Sequence, residues 1–156
     1  MKKLLVSLLV FLLVVFTLTG CEGFIPGNSS LAGSHWKLVS WSEGSLDPSQ
    51  FTITAHFDES NIFGTSAINS YSGSYITTAN HLFSVGELQM TLIGGSDEAM
   101  QAESTYFQLL QEAQRYTLNQ NKLILFDVFG NDLLIFSMME PIVGLAIDYF
   151  CPSASC

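Results

Sequence analysis

Three histidines, His35, His56 and His81, are the side chains of this chain best suited to proton transfer or metal ligation. They fall in separate stretches, with no serine elbow nearby and no second ligand at a metal-binding spacing. Surface or interstrand positions are therefore expected for all of them. Asp127 and Asp132 flank Gly130 and mimic a cation loop, but the ligand run of a calcium loop is missing. They read as the acids of a hairpin turn. Gly94-Gly95-Ser96 stands in front of a helical pattern, where backbone N–H groups can cradle an anion. Without a lysine, a plain strand-to-helix turn explains it. Tyr71 and Tyr75 either line a ligand mouth or cap one end of the fold with their hydroxyls in water, and capping is the stronger reading. No catalytic residue, metal site or cofactor is expected, and the chain reads as non-enzymatic.

The cysteines point to export. Lys2 and Lys3 precede an apolar run from Leu4 to Thr19, and Leu18-Thr19-Gly20-Cys21 ends it. Small residues at the end of such a run mark a secretory signal peptide. About 16 residues at about 1.5 Å each reach roughly 24 Å, short of a bilayer core. Leu-Thr-Gly-Cys resembles the bacterial lipoprotein box, which implies acyl chains on Cys21 and cleavage just before it. The alternative is an ordinary secretory signal with a chance cysteine. Glu22 follows where inner-membrane lipoproteins often carry Asp, which favours the outer membrane if the source has two. Cys151 and Cys156 then remain as an even pair around Pro152. In an oxidising compartment they close a small disulfide loop or stay as two free thiols.

Removing residues 1–20 takes Lys2 and Lys3 with it. The mature chain keeps 5 − 2 = 3 basic residues against 14 acidic ones, a balance of −11. That charge excludes a phosphate footprint and hence nucleic acid. It also argues against attraction to anionic lipid headgroups.

The elements come in a clear order. Residues 21–34 form a tether rich in Gly, Ser, Asn and Pro. A strand follows in which Trp36 and Leu38 share one side while Val39 and Trp41 take the other, so cover is expected on both. Phe51 to Asp58 alternates without exception. Asp58 to Asn61 turns into Asn61–Tyr75, read as two strands with a polar, glycine-relieved corner at Asn69, Ser70 and Ser72. From Leu82 to Ile93 the apolar set changes parity at Gly86-Glu87, the mark of a β-bulge. Ser96 caps a helix whose stripe runs through Ala99, Met100, Ala102, Tyr106, Phe107, Leu109, Leu110 and Ala113, with Arg115 near its negative end. A closing hairpin, apolar on both parities, spans Tyr116 to Met139 and needs cover on two faces. The tail, 140–156, is apolar as far as Phe150. The fold class is α+β, mainly β: antiparallel strands curled into a partial barrel around one helix, over residues 35–139.

This order resembles the META domain of HslJ-like bacterial envelope proteins. The resemblance runs from about Leu31 to Met139. Its carriers are Trp36 and Leu38, then Gly64, Asn69, Tyr71, Gly73 and Tyr75, then Thr91 and the hairpin KLILFDVFGNDLLIFS. Family members often place cysteines where this chain has Ile68 and Gly95, so any redox role of that pair is absent here. The resemblance implies a partial barrel similar to pilotin lipoproteins and links to envelope stress, antibiotic tolerance or secretion, with no reaction attached. The function expected is a lipid-anchored binding or scaffolding protein of the envelope, its partner another envelope protein. The alternative is a carrier of a lipid or other small apolar ligand held in the curved sheet.

Overall fold

A computed structural model describes residues 30–139. Cys21, Cys151 and Cys156, with the signal and the tail, lie outside these residues. The chain folds as β1 (Ser34–Trp41), a single 3-10 turn at Pro48–Gln50, β2 (Thr54–Phe57), β3 (Asn61–Thr65), β4 (Ser70–Thr77), β5 (Phe83–Met90), α1 (Asp97–Glu112), β6 (Arg115–Asn119), β7 (Lys122–Phe126) and β8 (Asp132–Met138). The strands form one antiparallel sheet in the order β5-β4-β3-β2-β1-β8-β7-β6. The sheet curls until its two edge strands touch at their starts. Leu82 bridges Arg115, the Phe83 amide donates to the Gln114 carbonyl at 2.9 Å, and the Tyr116 amide donates to His81 at 3.0 Å. Beyond Phe83, β5 has no strand on its outer side among the described residues. The result is a half-barrel, mainly β, with one helix.

That helix fills the curl. Ser96 accepts from the Ala99 amide as the cap, and Asp97 and Glu98 sit in the first turn, against the positive helix end. Ala102, Tyr106, Leu109 and Leu110 are buried among Trp36, Leu38, Ile53, Phe57, Leu123, Leu125 and Phe136. Fully burying each large aliphatic or aromatic side chain is worth about 1.5–3 kcal/mol, so this plug is the main source of stability. Arg115 is not at the helix end; it opens β6, paired with Phe126.

Bulges explain most departures from simple alternation. β1 loses register against β8 between Leu38 and Ser40, so Val39 is bulged out and 44 % exposed. Trp41 is thereby turned to the inner side opposite Leu134, where it packs on the core. The strand has one covered face, not two. In β5 the pairing passes from Gly73↔Leu88 to Tyr75↔Val85, placing an extra residue at Gly86-Glu87, the position of the parity change. The β7–β8 hairpin slips in the same way: Leu125 pairs with Leu134 but Phe126 with Asp132, which tucks Leu133 inward. Leu123, Leu125, Leu134 and Phe136 then face the core, and the pair Ile124 and Ile135 is half-buried on the other face. Two-sided cover of the hairpin is not what these residues have.

Two boundaries shift. Ile53 joins Ser66 only through a bridge, so the alternating strand is shortened to Thr54–Phe57. Leu31 is already core at 1 % exposure, and Gly33 takes a left-handed φ of 80° to bring the chain into β1. The last residues of the tether therefore belong to the domain.

Candidate functional site

The expected polar corner is one turn earlier than its composition indicates. The reversal is Ser66 to Asn69, closed by the Ser66 amide on the Asn69 carbonyl at 2.8 Å, and Ala67 carries its positive φ of 79°. Ser70 and Ser72 belong to β4, and Gly73 lies mid-strand. Gly73 and Gly64 serve close approach rather than turning. A Cβ on Gly64 would meet the Thr54 carbonyl oxygen at 2.1 Å, and one on Gly73 would meet the Glu87 carbonyl oxygen at 2.8 Å.

Asn69 is the knot of this end of the sheet. Its Oδ1 accepts from the Thr91 hydroxyl at 2.7 Å and the Ile93 amide at 2.8 Å. Its Nδ2 donates to the Ile93 carbonyl at 3.2 Å and to Glu103 Oε1 at 2.9 Å. Glu103 Oε2 accepts from the Asn69 amide at 3.1 Å and from the Ser66 hydroxyl at 2.5 Å. Thr91 Oγ1 accepts in turn from the Ser70 amide at 3.2 Å. Turn, edge strand and helix are thus tied through one carboxamide that uses all its donors and acceptors. Glu103 is the member the sequence hides, because a glutamate in a helix ordinarily reads as solvated surface.

The tyrosines are structural in a different way from a water-facing cap. Tyr71 is buried, and its hydroxyl donates to the Thr54 carbonyl at 3.0 Å. That uses its one proton, so the Tyr106 hydroxyl, 2.6 Å away, donates to it. Burial raises both phenols well above their ordinary value, with the facing phenol adding to the effect at Tyr71. Tyr75 donates to the Asp58 carbonyl at 2.8 Å and packs edge-on against Phe57. Trp36 is in the core with its Nε1–H on the Ser34 hydroxyl at 2.6 Å.

Beside the knot runs a groove of about 740 Å³ between the end of β5 and α1. Met90, Leu92, Ile93 and Met100 border it, with Phe107 at its base. Leu92 is 93 % exposed and Met100 52 %, so Met100 leaves the helix stripe expected to be buried. The inside of the half-barrel offers no comparable room, since the helix side chains pack there against the sheet.

The remaining candidates sort themselves. Asp127 accepts from the Phe129 and Asn131 amides at 2.8 Å each and from Asn131 Nδ2 at 2.7 Å, a turn that holds its own chain. Asp58 does the same for Ser60 and Asn61 at 2.8 and 2.6 Å. Both carboxyls lie below the usual range. For Asp58 the amide hydrogen bonds lead; for Asp127 the Asn131 side chain leads. Asp132 opens β8. Gly94-Gly95 joins strand to helix, and a Cβ on Gly95 would meet Ile68 Cδ1 at 2.6 Å. The two positions where relatives often carry cysteine are therefore neighbours in space. His81 turns the chain with φ 59° and packs against Tyr116, 5.3 Å between ring centroids. His35 and His56, far apart in sequence, stand side by side on β1 and β2.

A curled antiparallel half-barrel plugged by one helix, tied by an asparagine knot, defines a class of small β-rich modules. The family model for the META domain matches residues 29–140, and the chain belongs to that family. Solved structures share the fold. An NMR structure of a protein from Burkholderia xenovorans is 22 % identical with a TM-score of 0.60, covering 79 % of this chain and 97 % of that one. A DUF4847 family protein from Bacteroides vulgatus is 12 % identical with a TM-score of 0.53, covering 69 % of this chain and 93 % of its own. No curated protein matches.

Proposed function

We propose that this META-domain protein is lipid-anchored in the cell envelope through Cys21 and works by binding an envelope partner, without catalysing a reaction. The groove between β5 and α1 carries the reading. Contiguous exposed apolar side chains beside an unpaired strand edge are what a partner's extended segment needs: main-chain donors and acceptors for affinity and a trough for alternate side chains. The polar groups closest to the groove, Asn69 and Glu103, already bond one another. The short tether after Cys21 would hold the domain close to an outer-membrane surface, where acyl chains anchor without a spanning helix. No described helix is long and apolar enough to cross a membrane. A role in envelope stress or antibiotic tolerance fits such a scaffold.

A second reading has one observation in its favour. A groove of about 740 Å³ falls in the size range of small-molecule sites, so an apolar ligand would lie there, outside the filled interior of the sheet. A photo-crosslinking residue at Leu92 in living cells separates the two. A protein adduct that disappears with Ile93→Asp, and that is not formed from Phe129 outside the groove, supports the scaffold. Lipid adducts alone favour the carrier. No adduct of either kind at Leu92 overturns both.

A further inference from the structure

Strand pairing builds a ligand set that the linear spacing of the histidines conceals. His35 and His56 are cross-strand partners, with Nδ1 atoms 2.5 Å apart and ring centroids 4.8 Å apart. Only one proton fits between nitrogens that close, so at least one imidazole there presents a free lone pair. On the far side of His56, Phe63 stacks at 5.5 Å and limits its rotation. On the far side of His35 the Met139 amide donates to the His35 carbonyl at 2.9 Å, continuing the register Trp36↔Met138. Directly opposed residues in an antiparallel pair share a sheet face. His56, His35 and Met139 thus form a row across β2, β1 and β8 on the outer face, away from the helix.

We propose that this row is a copper site, with the two imidazoles as its principal ligands and the Met139 thioether as a third, weaker one. Imidazole suits copper, zinc and nickel alike, but a thioether beside it selects copper among them. Ligand bonds of about 2 Å at near right angles put two nitrogens roughly 3 Å apart, which a small rotation of the two rings supplies. Burial, helped by neighbouring His35, holds the His56 imidazole below its ordinary value, which keeps it a free base at neutral pH. Lys37 is the next outward residue of β1; it is exposed, and water screens its charge. Met139 also sits at the end of the described chain, so the site lies where β8 hands over to the tail.

The test is titration of the mature chain with Cu(II), read by electron paramagnetic resonance and by proton NMR. One equivalent of copper with a two-nitrogen hyperfine pattern is expected, together with broadening of the His35, His56 and Met139 signals. His35→Asn and His56→Asn should each lose the two-nitrogen pattern, whereas His81→Asn keeps it. Met139→Leu should retain Cu(II) and lose affinity for Cu(I), measured in a Cys151→Ser, Cys156→Ser background so that thiols do not compete. A far-UV spectrum confirms that each variant is folded. The broadening map of the unmutated chain stands by itself if a variant is not. Broadening centred on His81 or on the tail, or a two-nitrogen pattern that survives both histidine substitutions, overturns the site.

Discussion

Two adjoining regions at the β5 end of the sheet use opposite chemistry. Around Asn69, polar groups are buried and spent on one another: amide, hydroxyl and carboxylate are all bonded within the protein. A few ångströms along the chain, Leu92 and Ile93 are apolar and left in water. Ile93 belongs to both, since its backbone is held by Asn69 while its side chain borders the groove. Buried polar groups are costly unless fully paired, so such a knot fixes geometry. Exposed apolar atoms gain only by being covered, so such a groove is what a partner would use. The knot is the joint and the groove is the surface that the joint holds open.

Breaking the joint should have the largest effect. Asn69→Ala removes four side-chain hydrogen bonds and leaves the Thr91 hydroxyl, the Ile93 backbone and the Glu103 carboxylate short of partners. A loss of about 4 kcal/mol is expected, from about 1–3 kcal/mol for each strongly affected buried group. Urea unfolding checks it, and a loss below 1 kcal/mol would mean that the knot is ornamental. The same variant should also reduce capture at Leu92, because Ile93 and its neighbour lose their anchor.

The next effect has the opposite sign. Ile68→Cys with Gly95→Cys puts two thiols where the Ile68 side chain now touches the Gly95 position. A disulfide there should add about 3 kcal/mol by closing a loop across β4, β5 and the strand-to-helix turn. Denaturation with and without reductant reads it directly; equal midpoints would show that the positions do not bridge. This variant stiffens the joint and leaves the groove residues untouched, so crosslinking at Leu92 should persist in the oxidised form.

Acting on the groove alone should spare stability. Leu92→Ser changes a side chain that is 93 % exposed, and a shift within about 0.5 kcal/mol is expected. Partner capture, by contrast, should fall. A marked loss of stability together with capture would mean that Leu92 is packed, and the division between joint and surface would fail.

The legibility of the chain follows the same division. Patterns that repeat locally were readable: the capped helix at Ser96, the parity change at Gly86-Glu87, the acid-and-asparagine turns at Asp58 and Asp127. They depend on neighbours within a few residues. Val39 and Leu133 were misassigned because a bulge is a property of a strand pair, and the partner strand lies far off in sequence. Ala67 gave no sign of a left-handed turn, since the conformation is imposed by its amide bond to the Thr52 carbonyl. Tyr71 was placed at a wet rim because nothing local reveals that Tyr106 lies against it. Glu103 and the His35–His56 pair were missed for the same reason. Each acquires its meaning from a residue more than twenty positions away.

The smallest effects expected are in the pH dependence, and they separate the outer-face histidines from the turn acids. His56 has a folded value below its unfolded one, so the unfolded chain binds the extra proton first. Its contribution is present above about pH 6.5, the unfolded value, and is lost as the pH falls toward the folded value. Asp58 and Asp127 are also lowered, but from the carboxylate range. Their contribution is intact above about pH 4 and is lost only as the pH drops further, through their folded values. Stability measured from pH 7 to pH 3 should therefore decline in two windows. His56→Asn should flatten the upper window and leave the lower one. Asp58→Asn with Asp127→Asn should do the reverse, at little cost near neutrality because the amide oxygen still accepts from the same backbone amides. A single acid transition unaffected by His56→Asn would show that the histidine pair is not coupled to the fold, whereas two windows that respond separately would show that the outer face carries a titrating element of its own.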